Sequence, residues 1–448
     1  MNLTKQAIGA RLGRFVVECR ESEPPEEVVE KLRCNLLHDL SCAMAAYTEG
    51  PVIWPLVVDR GPAESTLLCE GTKVDAEHAA FANAVLMHAR AQDDTYFSAK
   101  SHLGSSVIPP SLALAEQLGA DGERFTRAVV AGYEVGAAVG DALEKSTTPR
   151  GFRASMLYGT LGSAAACASL LGLDEEGVAN AIAIASSFSG GLSQTWIEGS
   201  TEWRWELGMA ARNGLWAARL AANGAVGASN WLEGPAGFAH AFAGQDGVDE
   251  DFSELGERWR IMDVIYKPYP VCNITQSPVE AAIALVADND VEADEIESIR
   301  CLLNPVDRAY PGTLNWGPFE DVGASLMSAP FCVAMAIKDR DATLAGLHNT
   351  DDPMMRELVA RTEVLADERL PELASRIELT TTTGDRHVRE LIPDDSTYGW
   401  DWDGVLTNSR RLHDEMEISS DAFEGLGETI RALTELDSVE PLLRASIR

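Results

Sequence analysis

One twenty-residue stretch concentrates side chains that could perform acid–base chemistry. Residues 91–110 read AQDDTYFSAKSHLGSSVIPP. The stretch could supply an acid, a base and hydrogen bonds to a substrate, and a histidine titrates near neutral pH. Its candidate residues are Asp93, Asp94, Thr95, Lys100 and His102. A solvated surface loop is the alternative for any one of them. Their concentration before the small residues GSS favours an active-site loop.

A second stretch, TTPRGFRASMLYGTLG, places two arginines before a helix of small residues. Positive side chains at a helix N-terminus oppose the helix dipole. An anion between Arg150 and Arg153 and the free N–H groups would explain that choice. An ion pair with one of the many acids is the alternative. We count Arg153, and Tyr158 from the helix, among the candidate substrate-binding residues.

Two later stretches carry further cations. In EGSTEWRWELGMAARNG, Arg204 lies between two tryptophans, where stacking on an indole ring is the ordinary structural explanation. In IYKPYPVCNITQSPVEAA, Lys267 lies beside prolines that stiffen a suspected domain boundary. A lysine in such a cleft can bind a carboxylate or donate a proton, and a solvated lysine is the alternative. Gln276 follows, before a helix expected to start near Pro278. Cys272 lacks an evident partner, which favours a core cysteine.

The composition excludes several classes of function. The chain has 36 Lys and Arg against 70 Asp and Glu, a net charge of −34. Nucleic-acid binding needs a basic surface, so no nucleic-acid partner is expected. The same charge repels anions at long range, so a carboxylate site must be a local cluster of cations. The sequence has no phosphate-loop, dinucleotide-binding, zinc-protease or serine-hydrolase motif.

The cysteines and the apolar runs bear on metals and on location. The eight cysteines are scattered, with no C-x-x-C pair and no histidine at metal-finger spacing. They indicate reduced core cysteines, and neither a metal nor a cofactor is expected. The N-terminus lacks the apolar segment of a signal peptide, and no apolar run approaches roughly 18 residues. We expect a cytoplasmic protein without a membrane partner.

Helical periodicity dominates the first half of the chain and must position these candidates. Apolar spacing predicts helices over residues 26–47, 75–90, 108–118, 122–143, 154–171, 175–188 and 206–222. Several are rich in Ala and Gly, as in YGTLGSAAACASLLG, so their backbones can approach closely. The pattern predicts a large all-helical core.

The pattern changes near residue 264. DEIESIRCLLNP alternates like a strand, and RIELTTTTGDRHVRELI predicts a hairpin around a Thr-Gly-Asp turn. After Pro393 the helical pattern returns in DAFEGLGETIRALTEL. We predict a mainly α fold with three segments. These are the first part of an all-helical domain at 1–263, a smaller α+β domain at 264–394, and a segment at 395–448 that returns to the helical domain.

The order of these stretches resembles the MmgE/PrpD family. AAFANAVLMHARAQDDT, SHLGSSVIPPSLALAE, AVVAGYEVGAAVG, GMAARNGLWAARLAANG, LEGPAGF and KPYPVCNITQSPVEAA follow one another as in that family. The likeness runs from the N-terminal helix to the hairpin at 380–391. It implies a homodimer whose subunit combines a large helical domain with an inserted α+β lid. It also implies metal-free dehydratases, decarboxylases or epimerases that act on small polycarboxylates in the interdomain cleft.

The resemblance carries over residue by residue at three places. The family's D-x-D-D-T element matches Ala91, Asp93, Asp94 and Thr95, so its first acid is absent here. The family's His-Pro-Gly step matches the histidine of the loop, followed by Leu and Gly. Its cleft lysine before a Tyr-Pro step matches Lys267.

Two family positions differ in this chain. The histidine that follows Arg-Gly and an aromatic residue is replaced by Arg153, and the lysine ahead of the next small-residue helix falls at Trp203, beside Arg204. Arginine can bind a carboxylate, but it stays charged and is a poor proton shuttle.

We therefore expect a lyase or isomerase that abstracts a proton next to a carboxylate. His102 is the expected acid/base, with Lys267 as a second catalytic residue, and Asp94 and Thr95 orient the substrate or the histidine. Carboxylates and the developing enolate-like charge would be held by cations, the largest electrostatic task in such chemistry. The expected substrate-binding residues are Asp93, Arg153, Arg204, Lys100, Tyr158 and Gln276.

Three reactions and one non-catalytic role remain open at this point. Dehydration of a 2-methylcitrate-like hydroxy acid is the leading expectation. Epimerisation or decarboxylation of a related di- or tricarboxylate is the alternative. A non-catalytic carboxylate-binding protein is the competing class.

Overall fold

The computed structural model describes residues 7–249 and 252–448. Residues 1–6, 250 and 251 of the predicted first segment lie outside the described residues. Up to residue 222 the described chain is mostly helical. Its helices are α1 Ile8–Glu21, α2 Glu26–Ala45, α3 Gly50–Val57, α4 Ala76–His88, α5 Leu103–Leu118, α6 Gly122–Thr147, α7 Ala154–Leu170, α8 Glu175–Ser186, α9 Gln194–Glu198 and α10 Glu202–Ala222.

The rest of the chain mixes helices with one sheet. Its helices are α11 Asn273–Asn289, α12 Pro305–Arg308, α13 Val322–Met327, α14 Ala329–Asp339, α15 Leu344–His348, α16 Pro353–Ala360, α17 Asp395–Tyr398, α18 Trp402–Arg411, α19 His413–Met416, α20 Ser420–Arg431 and α21 Glu440–Ala445. The strands of the whole described chain are β1 Ser65–Thr66, β2 Lys73–Val74, β3 Thr95–Tyr96, β4 Val264–Ile265, β5 Ile296–Leu303, β6 Thr362–Ala366, β7 Ser375–Thr381 and β8 Arg386–Leu391. The predicted fold class, mainly α with a smaller α+β part, is confirmed.

The four-stranded sheet has the order β6-β5-β7-β8. β5 runs parallel to β6 and antiparallel to β7, and β7 and β8 form the predicted hairpin. Buried and partly exposed residues alternate along β7, as expected for a sheet with one covered face. Helices α11 and α14 pack on the sheet.

The small residues of the helical part allow close packing, as the sequence predicts. A Cβ added to Gly162 of α7 would lie 2.6 Å from the carbonyl oxygen of Gly132 in α6. Only glycines at such a crossing let two backbones approach this closely.

Side-chain caps fix where helices begin, since Asp75 accepts from the His78 N–H at 3.0 Å and Asp121 from the Arg124 N–H at 2.8 Å.

Two hydrophobic cores meet near the candidate residues. The first joins α1 to α8 and α10 with the C-terminal helices, and α18, α19 and α20 pack against α2. The second is built from residues 269–379, together with Ala91, Trp196 and Trp203 from the helical part. The domain boundaries at 264 and 394 stay a prediction. No helix among the described residues is long and apolar enough to cross a membrane.

Two predicted helix starts near prolines are wrong, and α10 also begins earlier than predicted, at Glu202 instead of 206. α5 begins at Leu103, not at 108, so Pro109 and Pro110 lie inside the helix. α11 begins at Asn273, five residues before Pro278. In both cases a proline suggested a first turn, whereas tertiary packing accommodates the ring inside the helix. Both corrections matter, because His102 and Cys272 become N-cap residues.

Candidate active site

A small cavity of about 60 Å³ lies where the two cores meet. The helical part contributes polar side chains from the loop after α4 and from the start of α7, and the second part contributes the segment before α11. The polar residues that line it are His88, Thr95, Lys100, His102, Arg153, Ser155, Lys267, Cys272, Asn273 and Tyr310. The predicted candidates Thr95, Lys100, His102, Arg153 and Lys267 are thus brought together.

Pairing between distant strands brings the loop to the lysine. Thr95 pairs with Ile265 and Tyr96 with Val264, which places the loop beside the segment that contains Lys267. The loop closes on itself because the backbone groups of Tyr96 and Ser101 bond to each other. Lys100, inside that turn, has a left-handed φ of 48°.

His102 is anchored through one ring nitrogen. Its Nδ1 lies 2.9 Å from the Asp94 carbonyl oxygen, 3.4 Å from Asp93 Oδ1 and 3.5 Å from Thr95 Oγ1. A carbonyl oxygen can only accept, so Nδ1 carries the proton and Nε2 keeps its lone pair. Burial, and then the nearby Lys267 cation, hold the pKa of His102 well below its usual 6.5. The ring is therefore neutral at pH 7 and can accept a proton at Nε2.

A chain of hydrogen bonds stands behind His102. Arg153 Nη2 lies 2.7 Å from His88 Nε2, and an arginine can only donate. His88 must then donate from Nδ1, which lies 2.9 Å from both Asp93 oxygens. Ser105 Oγ also donates to Asp93, at 2.5 Å. The chain fixes the Asp93 carboxylate beside the His102 ring.

The charge states of this chain follow from its burial. Burial lowers the pKa of His88 to about 4, so the ring is neutral. Burial alone would raise the pKa of Asp93, but His88 and His102 hold it below the usual range. Asp93 is therefore a fully buried carboxylate that would stabilise a positive charge on His102.

Arg153 forms the ion pair that was the alternative to an anion site. Its Nη1 lies 2.8 Å from Glu206 Oε2 and also donates to the Trp203 carbonyl oxygen. Its guanidinium lies 4.8 Å from the Trp196 ring centre. Much of its charge is compensated, although it still lines the cavity.

Among the cations that line the cavity, Lys267 has the least compensation by carboxylates of the described residues. Its side chain is buried, and Nζ donates to the Ala91 carbonyl oxygen. No carboxylate of the described residues lies within ion-pair distance of Nζ, and Ala91 supplies only its backbone. Burial lowers the pKa of Lys267, while the nearby Asp93 opposes that shift. The lysine can bind a substrate carboxylate or give up a proton.

Five predicted site residues do not line the cavity: Asp93, predicted to bind substrate, lies behind His102, and four others are engaged elsewhere. The Asp94 side chain accepts from Tyr133 Oη at 2.6 Å and from the Gly104 N–H at 3.0 Å, and only its backbone carbonyl reaches His102. Three others bond to protein groups outside the cavity. Arg204 pairs with Glu49, and Tyr158 bonds to Thr147. The Gln276 amide bonds to the backbone of Tyr269 and Val271.

Sequence reasoning missed several lining residues. His88 ends α4 five residues before Asp93, and that proximity was the available signal. Tyr310, Ser155 and Asn273 come from elements whose packing is not visible in the sequence. Cys272 packs against the second core but is only partly buried and also lines the cavity, whereas the seven other cysteines are buried.

The described residues contain one group with the composition of a metal site. Candidate ligand atoms of His88, Asp93 and His102 lie within 4.8 Å of one another. Both ring nitrogens of His88 already bond to protein groups, however, and His102 Nδ1 donates to a carbonyl. The cations Arg153 and Lys267 would repel a metal ion. The donor set therefore favours proton transfer.

A further buried carboxyl group, that of Asp39, contacts the loop and leads to a prediction about stability. Asp39 Oδ1 accepts from the Asp94 N–H at 2.9 Å, and Oδ2 has no partner. Burial, and then the Asp94 carboxylate, raise the pKa of Asp39. The resulting destabilisation grows as the pH rises from the usual pKa of 3.8 to the raised pKa of Asp39, and it is absent only below the usual value. Asp39→Asn should therefore raise the free energy of unfolding at pH 8 by about 1 kcal/mol or more.

The comparison is made by urea unfolding at pH 5 and pH 8. The gain should be smaller at pH 5, which is nearer the usual pKa of 3.8, so that less of the destabilisation has developed. The exposed Asp437 provides the control, and Asp437→Asn should change little at either pH. Equal gains for Asp39→Asn at both pH values would contradict the prediction.

Comparison with known proteins finds matches to both parts of the chain. Residues 10–251 match the MmgE/PrpD N-terminal domain, and residues 269–397 match the MmgE/PrpD C-terminal domain. The chain is 26% identical over 377 residues to a cis-aconitate decarboxylase of Aspergillus terreus (strain NIH 2624 / FGSC A1156), covering 79% of this chain and 76% of the relative. It is 27% identical over 394 residues to that of Mus musculus, covering 82% and 78%. A shorter match to that of Homo sapiens is 34% identical over 172 residues, 37% and 35% of the two chains.

Proposed function

The chain belongs to the MmgE/PrpD family, and from this premise we propose that it is a lyase that removes a proton next to a carboxylate of a small polycarboxylate. The observation that carries the proposal is one cavity containing a neutral His102 with a free Nε2 and a buried Lys267 with no carboxylate partner among the described residues. A base and an unpaired cation are what such a proton abstraction needs.

The geometry supports the following sequence of events. The substrate carboxylate binds beside Lys267, and His102 Nε2 takes the proton from the adjacent carbon. Asp93, 3.4 Å from His102 Nδ1, stabilises the imidazolium that forms. Lys267 stabilises the enolate-like negative charge on the substrate. The substrate loses this charge when its carbon–oxygen bond to a hydroxyl group breaks. The hydroxide leaves as water after taking a proton, which Lys267 can supply because burial lowers its pKa.

Dehydration of a hydroxy acid is the form of this reaction that we favour. A neutral histidine is ready to accept a proton, which is the first step of dehydration and also of epimerisation. Decarboxylation is the second candidate, because the curated relatives are cis-aconitate decarboxylases. It would instead require a proton to be delivered to the carbon that loses carbon dioxide. We also propose a cofactor-independent homodimer, as the family resemblance implies, and a cytoplasmic location.

Proton exchange in heavy water tests the proposal. The protein is incubated with a panel of di- and tricarboxylates, including hydroxy acids, and followed by NMR. Loss of the carbon-bound proton with formation of an alkene indicates dehydration, and exchange without net conversion indicates epimerisation. Carbon dioxide release with deuterium on carbon indicates decarboxylation. Binding of the panel without any exchange or conversion would contradict the proposal and favour a carboxylate-binding protein.

The pH dependence provides a prediction with a definite sign. His102 acts as a base only when neutral, and its pKa lies below 6.5. We expect kcat/KM to stay level from pH 8 to pH 6.5 and to fall at lower pH, where the ring becomes protonated. At high pH, kcat/KM should fall before pH 10.5, because burial lowers the pKa of Lys267. A rate that increases as the pH falls from 7 to 5 would instead identify protonated His102 as the active form.

A further inference from the structure

A second, larger cavity opens next to the active site. Its volume is about 1050 Å³, against about 60 Å³ for the catalytic cavity. The two cavities share Phe97, Lys100 and Tyr310 as lining residues. We call the larger one the outer vestibule and define it by Leu192, Ile197, Val306, Lys145 and Arg150. The two cavities therefore adjoin at these three residues, and a ligand that occupied both would pass between them.

The walls of the outer vestibule are apolar and exposed. Leu192 is 58% exposed, Ile197 57% and Val306 51%. In a chain with a net charge of −34, three large aliphatic side chains around one opening form an apolar patch that favours an apolar ligand. Their contact with such a ligand would remove that surface from water.

The charges at the rim fit an acid that enters through the outer vestibule. Lys100, Lys145 and Arg150 line it and outnumber the two acids that also do, Glu144 and Glu372. Neither Lys145 nor Arg150 bonds to a carboxylate of the described residues. Lys100, between the two cavities, lies 3.8 Å from Glu144. Cations along the route favour the entry of an anion despite the acidic chain as a whole.

The vestibule wall is also tied to the active site. Glu206 Oε1 accepts from the Leu192 N–H at 2.8 Å, and its Oε2 pairs with Arg153. The backbone of Leu192 is thus fixed relative to the catalytic cavity. Its side chain is free to contact a ligand, and replacing that side chain leaves the backbone hydrogen bond in place.

We propose that the substrate is a polycarboxylate with an apolar arm of several carbons, whose carboxylates bind in the catalytic cavity and whose arm lies in the outer vestibule. This inference rests on the proposed function for the position of the carboxylates. The small catalytic cavity has room for the reacting carbons, and the arm accounts for the adjoining apolar space. An unbranched small acid would leave that surface in water.

Binding of an alkyl series tests the arm without requiring turnover. The probes are 2-methyl-, 2-butyl- and 2-hexylsuccinate, titrated into the full chain by calorimetry. A fully buried methylene contributes roughly fourfold in affinity, and a half-buried one roughly twofold. Over five methylenes, the hexyl compound should bind roughly 30-fold tighter than the methyl compound. Equal affinities across the series would overturn the inference.

A matched pair of variants tests whether the increase in affinity with chain length arises in the outer vestibule. Leu192→Asp places a charge on the vestibule wall and should abolish the increase in affinity with chain length. Leu56→Asp changes a leucine of similar exposure, 52%, that lies outside the vestibule, and the increase should remain. If Leu56→Asp abolished it equally, or if Leu192→Asp left it intact, the arm would not lie in the vestibule.

The two proposals fail in different ways. A clear dependence on chain length without proton exchange of any polycarboxylate would support the arm and contradict the lyase. Proton exchange of small acids without any dependence on chain length would support the lyase and overturn the arm. Failure of every probe to bind would contradict the arm, and the exchange panel would still test the lyase.

Discussion

Replacing His102 by asparagine should lower kcat by about 10²–10⁴-fold, the usual contribution of a general acid–base residue. The Asn side-chain N–H can still donate to the Asp94 carbonyl oxygen, as His102 Nδ1 does at 2.9 Å. The loop should therefore keep its shape, and affinity for a carboxylate should change little, because Lys267 remains. Steady-state kinetics and calorimetry on the same preparation separate the two effects.

A second histidine provides the control for this variant. His387 lies on β8, bonds to Asn289 and does not line the cavity. His387→Asn should leave both kcat and affinity close to those of the unmodified protein. Full activity in His102→Asn, with an unchanged circular dichroism spectrum, would remove His102 from the mechanism.

Replacing Lys267 by methionine should weaken carboxylate binding by about 30-fold or more, the effect of removing one partner of a buried charge pair. Methionine preserves most of the length and apolar volume of the lysine chain but removes the ammonium group. The variant should also lose turnover, because the enolate-like charge would have no cation to stabilise it. Titration of a succinate probe and the proton-exchange rate measure the two losses.

A second buried lysine makes a close control. Lys31 is also buried and donates to a backbone carbonyl, that of Val264, at 2.6 Å. It does not line the cavity. Lys31→Met should lower the melting temperature without changing the affinity of folded protein for succinate. If both variants lost affinity to the same degree, a general loss of packing would explain the result, and the assigned role of Lys267 would be wrong.

The His102→Asn and Lys267→Met variants each test one of the two charges that form during proton abstraction. Proton abstraction creates a positive charge on His102 and a negative charge on the substrate at the same time. The buried Asp93 faces the first and Lys267 faces the second. Because both protein charges are buried before the reaction, little reorganisation is needed when the new charges appear. The overall charge of −34 therefore does not prevent the binding of an anion.

Some of this molecule could be predicted from local sequence. Apolar spacing identified the helices around 26–47 and 122–143, and alternation with a Thr-Gly-Asp turn identified the β7–β8 hairpin. These features depend on residues a few positions apart, so they are visible in a single chain. The helix starts near prolines could not be predicted in this way, because packing decides whether a proline ring fits inside a helix.

The sequence alone also singled out His102 and Lys267, through their residue types and their neighbours. Only the tertiary structure decided that the two share a cavity, because the β3–β4 pairing joins segments far apart in the chain. Only packing revealed that Arg153 pairs with Glu206 and that His88 links it to Asp93. Helical periodicity is a local property, whereas the partner of a buried polar group is set by whichever distant element packs against it.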